Sequence, residues 1–313
     1  MLTVNNLDVS QVVYQVSWTE SLDNACSVLS FSLPAAQAAQ FSCGDTVVFT
    51  HGGVNVFYGF LFKADRGPQQ ASCIAYDQLR YLKSEAPPLM RQNETLTDFA
   101  ARVLAQAGDR IRVGEVADTG VKLTPKLFES SSYLDMLTKS IQETRELSGV
   151  RYMLRDEFGA VALRDLFDLR TGLVVGDGSL ATDYRYGLSV GDNACNYVKV
   201  AKSSSEEGLK NAVVAQNAAL VAKWGKLSAF KTLSGGNAAQ MKALAESLLA
   251  ELGREDESLS VDCVGDLRLR AGCEITLDIA QAGLDFRVLI TQVEHSFSGA
   301  VHTAKLTLAR SVW

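Results

Sequence analysis

Two histidines near the C-terminal end are spaced so that their rings could meet. His295 and His302 flank a turn at 296–299 in a predicted hairpin, and Glu294 stands beside the first of them. Imidazole and carboxylate groups bind zinc, but a tetrahedral site needs three or four converging ligands, and no CxxC or HxxxH spacing supplies the others. We therefore interpret the pair as ordinary surface histidines. His51, in the corresponding turn region near the N-terminus, is interpreted as solvated.

Paired carboxylates are the second kind of group that could do chemistry, because glycosidases place two of them across a cleft. Glu206 with Glu207 and Asp256 with Glu257 form such pairs, in segments typical of hairpin tips or helix caps. The Asp-x-x-Asp spacing at 165–168 suggests a hard-cation site, but two carboxylates fall short of the six or more oxygens that calcium takes. Since acidic residues are mostly exposed, we interpret all of these as solvated charges.

Sequence motifs for other reactions are absent: there is no GxSxG elbow, Walker loop, dinucleotide fingerprint or HExxH. Trp18, Trp224 and Trp313 are typical of core or interface anchors, although exposed and coplanar tryptophans would suit a sugar platform. The sequence therefore predicts no catalytic residues, no cofactor-binding residues, no metal ligands and no cofactor.

A small β-unit occurs twice in the sequence, near the two ends of the chain. Alternating stretches at 28–33 and 259–264 lead into the two copies. Each copy continues through three strand-like stretches joined by turns, which lie at 44–49, 57–62 and 72–76 in one copy and at 272–277, 286–290 and 303–308 in the other. A chain with two equivalent sheet units can place both in one ring, so three chains would present six similar units.

Composition describes an ordinary folded protein long enough for two or three domains: 313 residues, 47% hydrophobic and 21% charged. The net charge of −6 argues against a surface that grips nucleic acid, because phosphate binding needs clustered Lys and Arg. It is compatible with a wall past which DNA slides. The six cysteines form no CxxC pair and predict free thiols in a reducing cytoplasm. We expect no signal peptide and no membrane span.

The order of the patterns predicts an α+β fold, mostly β, with three domains. Residues 1–84 are predicted to be all-β and to end before Pro87, because proline interrupts regular structure. Residues 85–176 are predicted to form an α+β domain with two helices and a hairpin. Residues 177–313 are predicted to carry the second β-unit and a packed helix at about 237–252.

Helix signals support the middle and last domains. Thr95 followed by Asp98 and Ser132 followed by Asp135 are typical of capping boxes that open two helices. A third helix, preceded by Asn237, has an apolar face and is expected to pack on the sheet of the second β-unit. The members of that face are Met241, Leu244, Ala245, Leu248, Leu249 and Leu252.

Several stretches along the chain closely resemble the XkdQ/YqbQ-type proteins of prophage contractile tails. They include YGFLF at 58–62, AYDQLRYLK at 75–83, NET at 93–95, DTG at 118–120, YMLRDEFG at 152–159, KWGKL at 223–227, GDLRLRAG at 265–272 and VEHSF at 293–297. The resemblance covers nearly the whole chain in order. None of these stretches is a catalytic motif.

The resemblance implies a baseplate hub, related in fold to late control protein D and to the N-terminal part of type VI secretion spike proteins. It implies a homotrimer in which two small tail-tube-like β-barrel domains, 1–84 and 177–313, flank the middle domain. Together they would form a pseudo-sixfold ring between the hexameric tail tube and the trimeric central spike. Ring closure would also pair strand edges that are otherwise exposed.

The partners implied by this resemblance are other copies of the chain, the spike, the tail-tube protein or tube initiator, and other baseplate proteins including one with a LysM domain. Tape measure or DNA would pass through the lumen without specific binding. The location would be the tail baseplate of a phage, tailocin or related particle, assembled in the bacterial cytoplasm. The sequence predicts no enzyme, and the alternatives are a tail-associated peptidoglycan hydrolase and a module that binds wall sugars.

Overall fold

A computed structural model describes residues 1–23, 26–191, 193–202, 212–233 and 238–310. Strands predominate over helices, which confirms an α+β fold that is mostly β. The chain divides into two compact units, unit 1 with residues 1–184 and those from 260 onward, and unit 2 with residues 185–259. The predicted domain boundaries at 84 and 176 stay a prediction. None of the helices in the described ranges is long and apolar enough to cross a membrane.

The strands and helices have the following bounds. The strands before the middle of the chain are β1 (Leu2–Val4), β2 (Leu7–Asp8), β3 (Val16–Ser21), β4 (Val28–Pro34), β5 (Thr46–His51), β6 (Val54–Arg66), β7 (Gln70–Tyr76), β8 (Leu89–Arg91), β9 (Val113–Val116), β10 (Lys126–Phe128), β11 (Tyr152–Asp156) and β12 (Val161–Asp165). The later strands are β13 (Val174–Gly176), β14 (Ala181–Ser189), β15 (Tyr197–Lys202), β16 (Val213–Gln216), β17 (Ser228–Leu233), β18 (Asp256–Val264), β19 (Glu274–Ile279), β20 (Leu284–Ser298) and β21 (Val301–Arg310). The helices are α1 (Ala35–Ala38), α2 (Leu96–Gln106), α3 (Tyr133–Ser148), α4 (Ala218–Trp224) and α5 (Ala238–Leu252).

The largest sheet has 13 strands and contains both predicted β-units. Its main path runs β14-β18-β21-β20-β3-β4-β7-β6-β5-β1-β2, with β19 paired to β20 and β13 paired to β19. The first unit therefore has the order β3-β4-β7-β6-β5-β1 and the second has β14-β18-β21-β20-β19-β13. The order is the same, although β1 is antiparallel to β5 and β13 is parallel to β19. No closed barrel is found among the described strands, so the predicted barrel domains are not confirmed.

Hydrogen bonds show that the two units match at the level of single residues. Gly44 donates to the carbonyl of Leu61 at 2.7 Å, and Gly272 donates to the carbonyl of Ile290 at 2.9 Å. Both glycines have positive φ, 95° and 84°, which a side chain would strain. One residue after Leu61 and one after Ile290, the register shifts by a β-bulge in both units. The predicted repeat is therefore present in the fold.

The middle of the chain supplies a helical layer with the predicted caps. Ser132 and Asp135 form a capping box at the start of α3, and the Thr95 hydroxyl accepts from the backbone N–H of Asp98 at the start of α2. The predicted hairpin is β11 paired with β12. The core of this layer is apolar; its largest members are Leu96, Phe99, Leu104, Leu123, Phe128, Met136, Leu137, Leu154 and Leu163.

Unit 2 is a three-stranded sheet covered by a helix. β15 pairs antiparallel with β16 and parallel with β17, and α5 packs on β15 and β16 through Met241 and Ala245. We expected α5 on the sheet of the second β-unit, and that expectation is wrong. The reason is that its apolar face meets Val198 and Val200, which point to one side of β15. The predicted cap Asn237 lies outside the described residues.

Candidate assembly surface

The two β-units are joined inside the chain by one pair of strands. β3 runs antiparallel along the part of β20 that lies beyond its bulge, from Gln292 opposite Ser21 to Phe297 opposite Val16. At the centre of this joint Trp18 lies opposite His295, and their rings stack with centroids 5.1 Å apart. Trp18 is buried, as predicted for a core anchor. We call this pairing of β3 with β20 the internal joint.

Behind the internal joint the two C-terminal histidines meet, as their spacing suggested. His295 Nε2 donates to the carbonyl of Leu269 at 2.9 Å, so its Nδ1 accepts from Nε2 of His302 at 3.0 Å. Our interpretation of surface histidines is wrong for His295, which is completely buried. His51 is also not simply solvated, because its ring packs against those of His302 and Phe297. Burial and the neighbouring histidines lower the pKa of His302 to about 4.

These histidines do not form a metal site. Within the described residues, no three His, Cys, Asp or Glu side chains converge to hold an ion. Glu294 points to the opposite face of β20 and accepts from the Ser17 hydroxyl at 3.0 Å. The cluster is therefore part of the core behind the internal joint, where the rings of His295 and His302 both stack on the ring of Phe297.

A buried ion pair ties the internal joint to the second β-unit. Glu20 lies on β3 and is 6% exposed, and Arg270 binds both of its carboxylate oxygens, with Nε to Oε2 at 2.9 Å. Burial alone would raise the pKa of Glu20, but the charge and hydrogen bonds of Arg270 hold it below its usual value. Arg270 also donates to the carbonyl of Asp156 at 3.0 Å and lies over the ring of Trp18. The Arg270 guanidinium thus contacts Glu20 and Trp18 on β3 and the carbonyl of Asp156 on β11.

Two further buried carboxyl groups lie beside this ion pair. Asp77 accepts from the N–H groups of Ser27 and Leu79, and Asp156 accepts from the N–H of Gly159 at 2.7 Å. They line a cavity of about 10 Å³, which has room for roughly one water molecule. Burial raises the pKa of Asp156 to about 7 and, together with the charge of Asp156, raises the pKa of Asp77 well above its usual range.

We expect Asp156→Asn to stabilise the protein at pH 8 relative to the wild type. The folded state keeps a proton on Asp156 up to about pH 7, whereas the unfolded carboxyl loses it near pH 4, so wild-type stability falls as pH rises between these values. Asparagine keeps the acceptor for Gly159 and cannot ionise. Thermal unfolding at pH 5 and pH 8 measures the effect: the gain in Tm should be present at pH 8 and small at pH 5.

A matched control for this variant is Asp165→Asn. Asp165 is a helix cap that accepts from Phe167 at 2.9 Å, and asparagine caps equally well. Its change in Tm should be small at both pH values. An equal gain from both variants at both pH values would contradict a buried, protonated Asp156.

The face of the sheet opposite the core is lined by small hydroxyl side chains. In unit 1 its members include Ser17, Thr19, Ser30, Ser32, Lys63, Asp65, Ser72, Ile74, Ser260, Asp262, Glu294, Ser296, Thr303, Lys305 and Thr307. We call this the hydroxyl face. It follows from the period of two in each strand, whose other residues are buried.

The hydroxyl face continues across the internal joint without a break. In register across the sheet from β7 to β21, one row of side chains is Ile74, Ser30, Ser17, Ser296 and Thr303. Two open grooves of about 340 and 330 Å³ lie on it, one in each β-unit. Its charged groups include three carboxylates (Asp65, Asp262 and Glu294) and two ammonium groups (Lys63 and Lys305). The surface is therefore polar, nearly neutral and made of short side chains.

The remaining residues considered from the sequence are not brought together. Trp224 is partly exposed in unit 2, and Trp313, Glu206 and Glu207 lie outside the described residues. Asp256 accepts from the N–H of Asn193 at 2.8 Å and Glu257 from the hydroxyl of Tyr186 at 3.2 Å. Each accepts a hydrogen bond within unit 2.

Sequence reasoning missed the buried carboxyl groups of Glu20, Asp77 and Asp156 and the partly buried guanidinium of Arg270. A signal existed for Glu20, because the alternation of Val16, Trp18 and Glu20 places all three on one face of β3. A carboxylate on an otherwise apolar face requires a buried partner.

The family described as YQBQ-like matches residues 16–309. The chain belongs to this family. Two relatives from Bacillus subtilis (strain 168) are an uncharacterized protein YqbQ, 27% identical, and the phage-like element PBSX protein XkdQ, 26% identical. Each match covers 83% of this chain and 79% of the relative.

Solved structures share the fold of this YqbQ-like chain. The 43 kDa tail protein of prophage MuSo2 from Shewanella oneidensis has a TM-score of 0.72 at 14% identity, covering 99% of this chain and 97% of its own. The c3393 protein of E. coli, described as a type VI secretion component similar to the T4 tail proteins gp27 and gp5, has a TM-score of 0.64 at 12% identity, covering 100% and 77%.

Proposed function

We propose that this YqbQ-like protein is a structural baseplate hub of a contractile tail, and that three copies form a pseudo-sixfold ring. The observation that carries the proposal is the duplicated six-strand unit, with one joint between its copies inside a single chain. A chain with two equivalent units can present six of them at threefold symmetry, which suits a part that meets a hexamer on one side and a trimer on the other. In such a ring the two β-units would act as tail-tube-like barrel domains.

The hydroxyl face supports a lumen through which other molecules pass. A surface of short hydroxyl groups offers neither an apolar patch nor clustered cations, so it would retain a tape-measure protein or DNA weakly. Clustered Lys and Arg, which phosphate binding needs, are absent from this face among the described residues. We infer that the hydroxyl face lines the ring and that the apolar core lies behind it.

The partners that follow from this role are the trimeric central spike, the hexameric tail-tube protein or its initiator, and other baseplate proteins, one of them LysM-containing. The middle domain would decorate the outside of the ring. The protein would reside in the tail baseplate of a phage, tailocin or related particle after assembly in the bacterial cytoplasm. The tail protein of prophage MuSo2, with its similar fold, is in keeping with this location.

The geometry favours this structural role over a peptidoglycan hydrolase. Asp77 and Asp156 are paired carboxyls with raised pKa, as acid catalysts have, but their cavity of about 10 Å³ cannot admit a sugar ring. A glycan-binding platform is likewise disfavoured by Trp18, which is buried in the core.

The proposed hub predicts that the purified protein has three times the mass of one chain, alone or after addition of the spike. Light scattering coupled to size-exclusion chromatography measures this mass at fixed protein concentration. Copurification with a trimeric spike protein from the same particle tests the partner. A stable monomer that does not bind the spike would contradict the proposal, and the hydrolase alternative would then be tested by zymography.

A further inference from the structure

In the internal joint one strand, which we call the donor, pairs with a strand edge that we call the acceptor. Because the β-unit is repeated, the chain contains a second strand and a second edge at the corresponding positions. β3 is the donor, and the part of β20 beyond its bulge is the acceptor. By position in the repeat, β14 corresponds to β3, and residues 62–66 of β6 correspond to residues 291–295 of β20. We call residues 62–66 the acceptor arm.

The acceptor arm has no strand on its outer side in the described part of the chain. β5 pairs with β6 only as far as Phe60, and β7 pairs with the other side of the arm. Gly67 donates its N–H to the carbonyl of Gln70, so Gly67 and Gln70 are a hydrogen-bonded pair. In an antiparallel ladder such pairs alternate along the strand, so the N–H and C=O groups of Ala64 and Arg66 point away from β7. The corresponding residues of β20, Val293 and His295, turn theirs toward β3, as the bond from Leu22 N–H to the carbonyl of Thr291 shows.

Side chains confirm the correspondence between the acceptor arm and β20. Arg66 occupies the position of His295, five residues after Leu61 and Ile290 respectively. His295 donates to the carbonyl of Leu269, and Arg66 donates through Nη2 to the carbonyl of Phe41 at 2.6 Å. Both acceptor carbonyls lie three residues before the positive-φ glycine of their unit. In both strands a side chain at the same position therefore bonds the corresponding loop carbonyl, in the acceptor arm and in the part of β20 that pairs with β3.

The donor counterpart, β14, is the terminal strand of its sheet path. Within unit 2, the Tyr186 hydroxyl bonds Glu257 at 3.2 Å, and Ser258 Oγ bonds the carbonyl of Gly187 at 3.4 Å. Glu257 shares the face of β18 that carries the buried Leu259. Gly187 packs directly against Ser258, since a Cβ on Gly187 would lie 2.7 Å from Ser258 Oγ, and this sets Tyr186 beside Leu259. Leu259 is the first buried residue of the alternation in β18, as Leu29 is in β4, and Leu29 lies opposite Trp18. We therefore match Tyr186 to Trp18.

We propose that β14 of one copy pairs antiparallel with the acceptor arm of the next copy, repeating the internal joint between chains. Tyr186 then lies over the Arg66 guanidinium as Trp18 lies over His295, an arrangement that a cation and an aromatic ring favour. Thr19 lies opposite Glu294 in the internal joint, so Gly187 lies opposite Asp65 in the joint between copies. The contact is head to tail, so three copies close into a ring when each is rotated by one third of a turn from the next. The inference rests on the proposed function in taking the partner to be a second copy.

Cysteine cross-linking tests this joint in the full chain with Cys43→Ser to remove the exposed thiol. Asp65→Cys with Gly187→Cys places a non-hydrogen-bonded pair across the joint, with Cα atoms about 4.5 Å apart, which suits a disulfide. Mild oxidation should give covalent dimers and trimers that reducing agent removes. Each single variant should stay monomeric on denaturing gels.

The internal joint supplies a positive control, because Thr19→Cys with Glu294→Cys should close a disulfide within one chain. If light scattering shows a trimer, the control pair closes and the Asp65–Gly187 pair does not, the inference is overturned while the proposed hub survives. If the protein is a monomer that also fails to bind the spike, the hub itself fails. Ala64→Pro adds an independent readout: it removes an N–H that faces the neighbour and should convert trimer to folded monomer, and a trimer that persists counts against the joint.

Discussion

Arg270→Ala is expected to lower the free energy of unfolding by about 3–5 kcal/mol, because it leaves Glu20 buried without its partner. Glu20 is 6% exposed, and both of its carboxylate oxygens bind the Arg270 guanidinium. The variant also removes the hydrogen bond to the carbonyl of Asp156 and the contact with the Trp18 ring. Denaturant unfolding at fixed protein concentration, at pH 7, measures the loss.

The chain contains a matched control two residues away. Arg268 forms a bidentate pair with Asp266, but its side chain is 69% exposed. Arg268→Ala should cost far less than Arg270→Ala, because exposed ion pairs contribute little to stability. If Arg270→Ala and Arg268→Ala lower the free energy of unfolding by the same amount, the strength of the Glu20–Arg270 pair does not come from the burial of Glu20. Glu20→Gln with Arg270 intact should fall between the two, because one acceptor oxygen for Arg270 remains while the charge and the second acceptor are lost.

Local patterns were sufficient to predict the repeat. Glycines before β5 and β19, alternation in β4 and β18, and turns between the strands are all features of short stretches of sequence. The caps of α2 and α3 are equally local, and they were confirmed residue by residue. What these patterns have in common is that the interacting groups lie within a few residues of each other.

The internal joint could not be predicted in the same way. Ser17 and Glu294, which meet across it, are 277 residues apart, and no local signal indicates which strand edges pair. The placement of α5 failed for a related reason. β15 and β17 pair in parallel through an intervening segment, so the sheet that receives α5 becomes visible only when the topology is known.

The burial of His295 was predictable but was not predicted. In the stretch from Val293 to Phe297 a period of two places His295 on the same face as its two apolar neighbours. We interpreted His295 as a surface residue because histidine is polar, although the alternation of buried positions placed it in the core. A polar residue in phase with an apolar alternation is better taken as buried and paired, and both Glu20 and His295 illustrate it.

Trp18→Ala is expected to cost about 3–5 kcal/mol, the range for removing a large buried aromatic. The ring lies at the centre of the internal joint, in contact with the imidazole of His295 and the guanidinium of Arg270, and is 2% exposed. Trp18→Phe keeps an aromatic ring there and should recover more than half of the loss. Trp224→Ala is the matched control, and because the Trp224 ring is partly exposed, its removal should cost about 1 kcal/mol, as a typical substitution does.

The Trp18 series also bears on assembly, because the same strand pairing is proposed between copies. If the internal joint holds the two β-units in the orientation that a ring requires, Trp18→Ala should lose trimer at protein concentrations at which Trp224→Ala keeps it. Far-UV circular dichroism establishes that the variant is still folded, and light scattering gives the mass. A folded Trp18→Ala protein with unchanged trimer mass would show that the orientation of the two β-units does not depend on this contact.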